Sequence, residues 1–235
     1  MTAAKDTVIS APELLELTLA QLPMRDLLAT VPLVSRMWHA ITLSPTLQRT
    51  LFFEPDPLSE PTQNPLLVEL FPPFFTATPE DAQEYERCFG RWPAWPGTAS
   101  TIMLMPWSKA PNTFKRKDAS WRRMLVMQPP AKTMMIMETR RLRYGDHHRR
   151  AVLQDLSLCM GDLFDLAVPW LDYFASSFCI HWHHDMDQGD LTLAVRYTPG
   201  SSPRLEKKFY TDGTRANELR DRIDLAVKWE TFNHV

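Results

Sequence analysis

Leucine recurs through residues 9–53 at helical spacing. Leu15, Leu19 and Leu22 fall on one face, Leu14 and Leu17 on a neighbouring one. Ser10 and Glu13 stand three apart as a capping box, with Pro12 in the first turn and Pro23 after the last. A second short helix is predicted over 24–30, with Leu27 and Leu28 inward and Arg25 and Asp26 outward. A third begins near Val31 and carries Leu33, Val34, Met37, Trp38 and Ile41. Ser44 then caps a further helix over 46–52.

Beyond this block the pattern changes. Residues 54–65 hold four prolines and three acids and read as a linker. A short helix is predicted over 80–89, a buried strand over 101–107, and a helix over 120–127 ended by Pro129 and Pro130. A strand follows over 133–138, then a helix over 161–174 interrupted near Pro169. Phe178, Ile180 and Trp182 alternate with Cys179, His181 and His183, which predicts a strand with the second set facing solvent. Leu191, Leu193, Val195 and Tyr197 mark another strand, and 205–211 a third, forming an antiparallel meander. A final helix is predicted over 214–231. The expected class is α+β. A tail (1–8), a helical unit (9–53) and a linker (54–65) precede an α+β region (66–235) with a small, mainly antiparallel sheet.

Composition narrows the functional classes. The 235 residues carry 26 Lys and Arg against 28 Asp and Glu, a net charge of -2, so bulk adhesion to nucleic acid is not expected. Hydrophobic residues make up 44%, enough for a core. Cys88, Cys159 and Cys179 form no C-x-x-C pair. No secretory signal and no run of 18 apolar residues is present, so an intracellular protein without a membrane partner is expected, cytoplasmic or nuclear. Lys115-Arg116-Lys117 is short for a nuclear signal and reads first as a solvated loop. No phosphate-cradling glycine loop and no nucleophile elbow occurs, so no cofactor and no catalytic residue is assigned.

A unit of about 45 residues lies near the lower limit for folding alone, and its helices carry more leucine than they can cover. Either residues 54–235 or another protein covers the excess. Pro12-Glu13-Leu14-Leu15, Leu22-Pro23-Met24-Arg25-Asp26-Leu27-Leu28 and Val34-Ser35-Arg36-x-Trp38 together resemble an F-box. The continuation Ser44-Pro45-Thr46-Leu47 through Phe53-Glu54-Pro55 is similar to F-box proteins of filamentous fungi, as are Trp121-Arg122-Arg123 and Met160-Gly161-Asp162-Leu163. Ala11 and Thr18 stand where the family usually has apolar residues. The resemblance implies a three-helix F-box at 9–53 that docks a Skp-type adaptor and, through it, a cullin–RING ubiquitin ligase. Residues 66–235 would then recruit a protein substrate, with no bond chemistry in this chain. On that reading Pro12, Leu14, Leu17, Pro23 and Leu27 form the adaptor seam. Leu15, Leu19, Val34 and Trp38 are shared with the interior, and Leu22 and Leu28 complete the contact.

Three constellations stand beside this reading. Arg140, Arg141, Arg143, Arg149 and Arg150 crowd an eleven-residue run with one acid, which fits a solvated loop, a patch for an acidic or phosphorylated substrate, or nucleic acid. Trp92 and Trp95 bracket a Pro-Ala corner and are either core or a partner anchor. Cys179, His181 and His183, with Asp185 and Asp187 beyond, are either solvent-facing polar residues or metal ligands. The last cluster carries the alternative of a metal-dependent enzyme. A further alternative is an F-box-like interaction protein acting outside any ligase.

Overall fold

The computed structural model describes residues 11–76, 95–105, 116, 118–142, 145–154, 157–172, 174–183, 190–198 and 230–232. Five short helices open the chain: α1 (Pro12–Leu19), α2 (Met24–Ala29), α3 (Val31–Val34), α4 (Arg36–Thr42) and α5 (Pro45–Thr50). The expected third helix is broken at Ser35. That residue is extended, and its hydroxyl accepts a hydrogen bond from the Trp38 N–H, so it caps α4. Leu15, Leu19, Leu27, Val31, Leu47 and Leu51 form a small core among these helices. Glu16 locks α1 to the start of α5 by accepting a 2.6 Å bond from Ser44, the α5 cap.

The proline-rich stretch after α5 is bound to the rest of the chain. Thr62–Gln63 (β1) pairs antiparallel with Met127–Gln128 (β2). Asn64 is fully buried; its amide donates to the Leu125 carbonyl and its side-chain oxygen caps α6 (Pro65–Leu70). The Leu125 N–H donates to the Phe52 carbonyl, and Gln128 reaches the Arg49 and Glu54 carbonyls at 2.9 and 3.0 Å. Leu28 and Phe53 touch the helical core and the main core alike.

The main core lies between one face of a five-stranded sheet and a layer of short helices. These are α6, α7 (Pro72–Phe75), α8 (Ala99–Leu104), α9 (Ser120–Arg123) and α10 (Met160–Ala167), followed by a 3-10 turn over Val168–Asp172. Phe71, Phe74, Trp121, Phe164 and Phe178 interlock there, with ring centroids 4.8–6.4 Å apart. Such pairs add about 0.5–1.5 kcal/mol beyond area burial. The sheet comprises β3 (Met134–Leu142), β4 (Gly145–Leu153), β5 (Phe174–Trp182), β6 (Leu191–Thr198) and β7 (Glu230–Phe232), in the order β5-β6-β3-β4-β7.

Several expectations change. Residues 99–104 are helical, where a strand was expected: Thr98 and Thr101 close a capping box, and Met105 is already extended before Pro106. The helix expected to reach residue 127 stops at Arg123. The backbone beyond it bonds instead to Phe52 and Leu158. The helix expected over 161–174 gives way, near Pro169 as expected, to a 3-10 turn that begins at Val168, and Phe174 belongs to β5. The sheet is not a pure meander, because β6 runs parallel to β3. Asp190 fixes that register: its carboxylate accepts the Lys132 and Thr133 N–H groups, and its own N–H donates to the Thr133 hydroxyl. The expected 80–89 helix and 205–211 strand lie outside the described residues. So does most of the 214–231 helix, whose last positions belong instead to β7, paired with β4.

Gly161 sits where α10 meets α9. A Cβ there would stand 2.7 Å from the Arg122 carbonyl oxygen. Gly161→Ala is therefore expected to lower stability by about 1–3 kcal/mol, despite alanine's better helix propensity. A urea midpoint at or above that of the parent would refute the contact.

Candidate functional site

Two surfaces and one cavity carry the residues singled out in the sequence. The first surface is on the amino-terminal helices. Leu14 and Leu17, three apart on α1, are 45% and 64% exposed, and Pro12 and Pro23 are exposed as well. Leu22, Leu33, Val34, Met37 and Leu43 also face outward, Leu33 at 84%. Leu27 does not join them. It is fully buried beneath α1 and α5, so its place is the core rather than the seam. Leu15 and Leu19 are likewise wholly interior, and Val34, expected to be shared with the interior, is exposed. Trp38 and Leu28 are half-buried against the helical core. Thr18 turns its hydroxyl back to the Leu14 carbonyl at 2.7 Å, which satisfies it within α1.

The arginine-rich run is a β-hairpin rather than a loop, and its alternation splits the arginines between two faces. Glu138, Arg140 and Arg149 lie on the core face, where the Glu138 carboxylate is fully buried. Arg140 donates to it at 2.7 Å, Arg149 through its Nε, and the Tyr197 hydroxyl at 2.5 Å. Burial, then the Glu138 hydrogen bond, pushes the Tyr197 phenol above its ordinary value. Arg140 and Arg149 thus pair with a buried acid while their own side chains stay 38% and 23% exposed. Arg141 and Arg150 occupy the other face, with Met137 and Thr139. Arg143 and Trp92 lie outside the described residues.

On that outer face the sheet holds a cavity of about 300 Å³ near the hairpin end. Arg141 on β3, Asp146 on β4, Arg196 on β6 and Ser177 on β5 contribute to its walls, with Trp95 closing one side. The Arg196 guanidinium lies over the Trp95 ring, 4.1 Å from its centroid, and its Nε donates to the Ser177 hydroxyl at 3.2 Å. Ala175 has φ 50 within the irregular stretch where β5 shifts register between Phe174 and Ser177. Trp95 is half-buried and borders this pocket. Arg196, Ser176 and Ser177 had no local pattern to mark them. Only the alternation of β5 and β6, combined with their pairing to β3, places them beside Arg141.

Further along the same face, Cys179 is fully buried instead of solvent-facing. Its Sγ is 3.2 Å from His181 Nε2, while His183 Nε2 is 2.8 Å from the Thr192 hydroxyl. Among the described residues no group of three His, Cys, Asp or Glu side chains converges as a metal site. Asp185 and Asp187 lie outside them. Among the same residues, no helix is long and apolar enough to cross a membrane.

Comparison with protein-family models, curated proteins and solved structures finds no match to this chain.

Burial, and secondarily the nearby His183, holds the His181 imidazole below its ordinary value. The folded state then binds fewer protons than the unfolded state as pH falls below about 6.5. Stability is full above that pH and declines through the window down to the folded-state value. His181→Gln should flatten the decline, as read from urea midpoints at about pH 7.5 and pH 5; an unchanged slope would exclude His181 as its source. Glu138→Gln should cost about 1–3 kcal/mol by weakening three charge-assisted bonds together. Near-parental stability would show that the arginines find other acceptors.

Proposed function

We propose that this chain is an F-box substrate receptor: residues 9–53 dock a Skp-type adaptor of a cullin–RING ubiquitin ligase, and residues 66–235 recruit a protein substrate. The observation that supports this reading best is the outward apolar set on the amino-terminal helices, Leu14 and Leu17 above all, left over after the helical core is complete. Burying a leucine side chain against a partner is worth roughly 1.5–3 kcal/mol, and leaving it in water forgoes that gain. The sequence motifs that resemble an F-box include these same residues, with Pro12 and Pro23 flanking them. The revised seam is Pro12, Leu14, Leu17, Leu22, Pro23 and Val34, with Leu15, Leu19 and Leu27 as the core that holds it in shape.

The chain then contributes proximity rather than bond chemistry. Tethering a substrate beside a loaded conjugating enzyme replaces a bimolecular encounter by a local one, with effective concentrations in the millimolar range for short spans. The bonds from Leu125 and Gln128 to the helical unit favour a fixed span over a swinging one.

Binding to a purified Skp-type adaptor, followed by recruitment of its cullin, tests the assignment. The double variant Leu14→Asp, Leu17→Asp should weaken adaptor binding by more than about tenfold and leave the melting temperature unchanged, since both side chains are exposed. Leu27→Ala should instead lower stability by about 2–5 kcal/mol. Parental adaptor affinity in the double variant, or no adaptor binding by the parent, would overturn the reading. Adaptor binding without cullin recruitment would place the chain outside a ligase.

A further inference from the structure

The polar contact that ties α1 to α5 runs through a serine that directly precedes a proline. Ser44 Oγ donates to the Glu16 carboxylate at 2.6 Å and accepts from the Leu47 N–H at 3.4 Å. Thr46 bonds the same carboxylate, and these two hydroxyls, Ser44 first, hold the Glu16 carboxyl below its ordinary value. Glu16 is therefore ionised at neutral pH, and among the described residues no Lys, Arg or His pairs with it. An ionised carboxylate only accepts, so the Ser44 half of the lock needs the hydroxyl hydrogen.

Sequence and exposure mark Ser44 as a phosphoryl acceptor. Pro45 follows it, and Leu43, Pro45 and Thr46 are exposed, Leu43 at 61%. Ser44 is half-buried and its backbone is extended, with φ -64 and ψ 148. The first turn of α5 is lightly held, because Pro45 has no N–H and the Leu47 bond to Ser44 is long. We propose that Ser44 is phosphorylated by a kinase of the proline-directed class, and that the phosphate unlocks α1 from α5. In the transfer, Ser44 Oγ attacks the γ-phosphorus of ATP. The Oγ–P bond forms, the bond to the bridging β-phosphate oxygen breaks, ADP leaves, and the hydroxyl proton passes to the kinase's catalytic carboxylate. The product lacks the donor that Glu16 needs and sets close to two negative charges against its carboxylate. A phosphate at a helix start is ordinarily favoured by the helix dipole. Here α5 has only six residues, and a carboxylate at hydrogen-bonding distance reverses the balance. The sign of the effect thus belongs to Glu16. Leu15 and Leu17 flank Glu16 on α1, so loosening it disturbs one core leucine and one leucine of the apolar seam. A loss of adaptor docking rests on the F-box reading; a loss of stability does not.

The full chain, treated with a proline-directed kinase and MgATP and mapped by mass spectrometry, tests both halves. Thr78, Thr198 and Ser202 also precede proline, so Ser44→Ala treated in the same way is the reference. Phosphate should be found on Ser44, and treatment should lower the parent's urea midpoint by more than it lowers that of Ser44→Ala. In Glu16→Gln the phosphate meets a neutral amide that can donate to it, so treatment should leave the midpoint unchanged or raise it. Affinity for a Skp-type adaptor should fall by more than about tenfold on treatment of the parent and by less than about threefold in Glu16→Gln. No phosphate on Ser44, under conditions that modify a peptide spanning residues 38–50, would overturn the site. An equal fall in midpoint in the parent and in Glu16→Gln would overturn the lock. Unaltered adaptor affinity, in a parent that binds the adaptor, would overturn the coupling of lock to seam. A midpoint that falls as expected in a parent that binds no adaptor would uphold the switch and overturn only the docking reading.

Discussion

The strip of chain from Leu125 to Gln128 is held from both sides, and the arrangement of the molecule depends on it. Its backbone N–H groups reach Phe52 and Leu158, its Leu125 carbonyl accepts from Asn64, and its Gln128 amide spans Arg49 and Glu54. Few of these bonds have an alternative partner once buried, and an unmet backbone or amide group there would cost about 1–3 kcal/mol. The helical unit, the proline-rich stretch and the sheet layer are therefore joined by polar bonds that fix direction, with Leu28 and Phe53 supplying apolar contact across the same junction. Association of the helices with the sheet is a matter of defined geometry rather than of tether length.

Periodicity made much of the fold legible, and its errors have physical causes. Leu15, Leu19 and Leu27 could be placed on helices from spacing alone, but spacing does not say which apolar face is covered by the chain itself. The fully buried Leu27 is the result of Val31, Leu47 and Leu51 arriving from later helices. The stretch from Thr101 looks like a strand because Ile102, Met103 and Leu104 form an unbroken apolar run. The local exchange between Thr98 and Thr101 made it a helix. Ser35 broke a helix that the apolar pattern carried straight through. The parallel pairing of β6 with β3 left no local mark, since alternation is the same in either direction.

The arginine-rich run shows most clearly how composition and geometry part. Read as a string, it is a cluster of positive charge. Folded, it is a hairpin in which neighbouring arginines serve opposite sides: Arg140 and Arg149 neutralise a buried carboxylate, and Arg141 stands on the far face among residues drawn from three other strands. Glu138 is what makes the division possible. Without an acid at that interior position, the two partly exposed guanidinium groups would lose the counter-charge that draws them to this face. The cavity beside Arg141 owes half its character to Arg196 and to a bend in β5, and no stretch of contiguous sequence describes it.

The parallel partnership of β3 has a bearing on how the polypeptide leaves the ribosome. Its antiparallel neighbour follows within a few residues, so one edge of the strand is closed early. The other edge must wait until Leu191–Thr198 has been synthesised, and until then it presents unpaired backbone beside apolar side chains such as Met134 and Ile136. A strand whose second edge is closed only by a distant segment is open to mispairing for longer than one enclosed by two local hairpins.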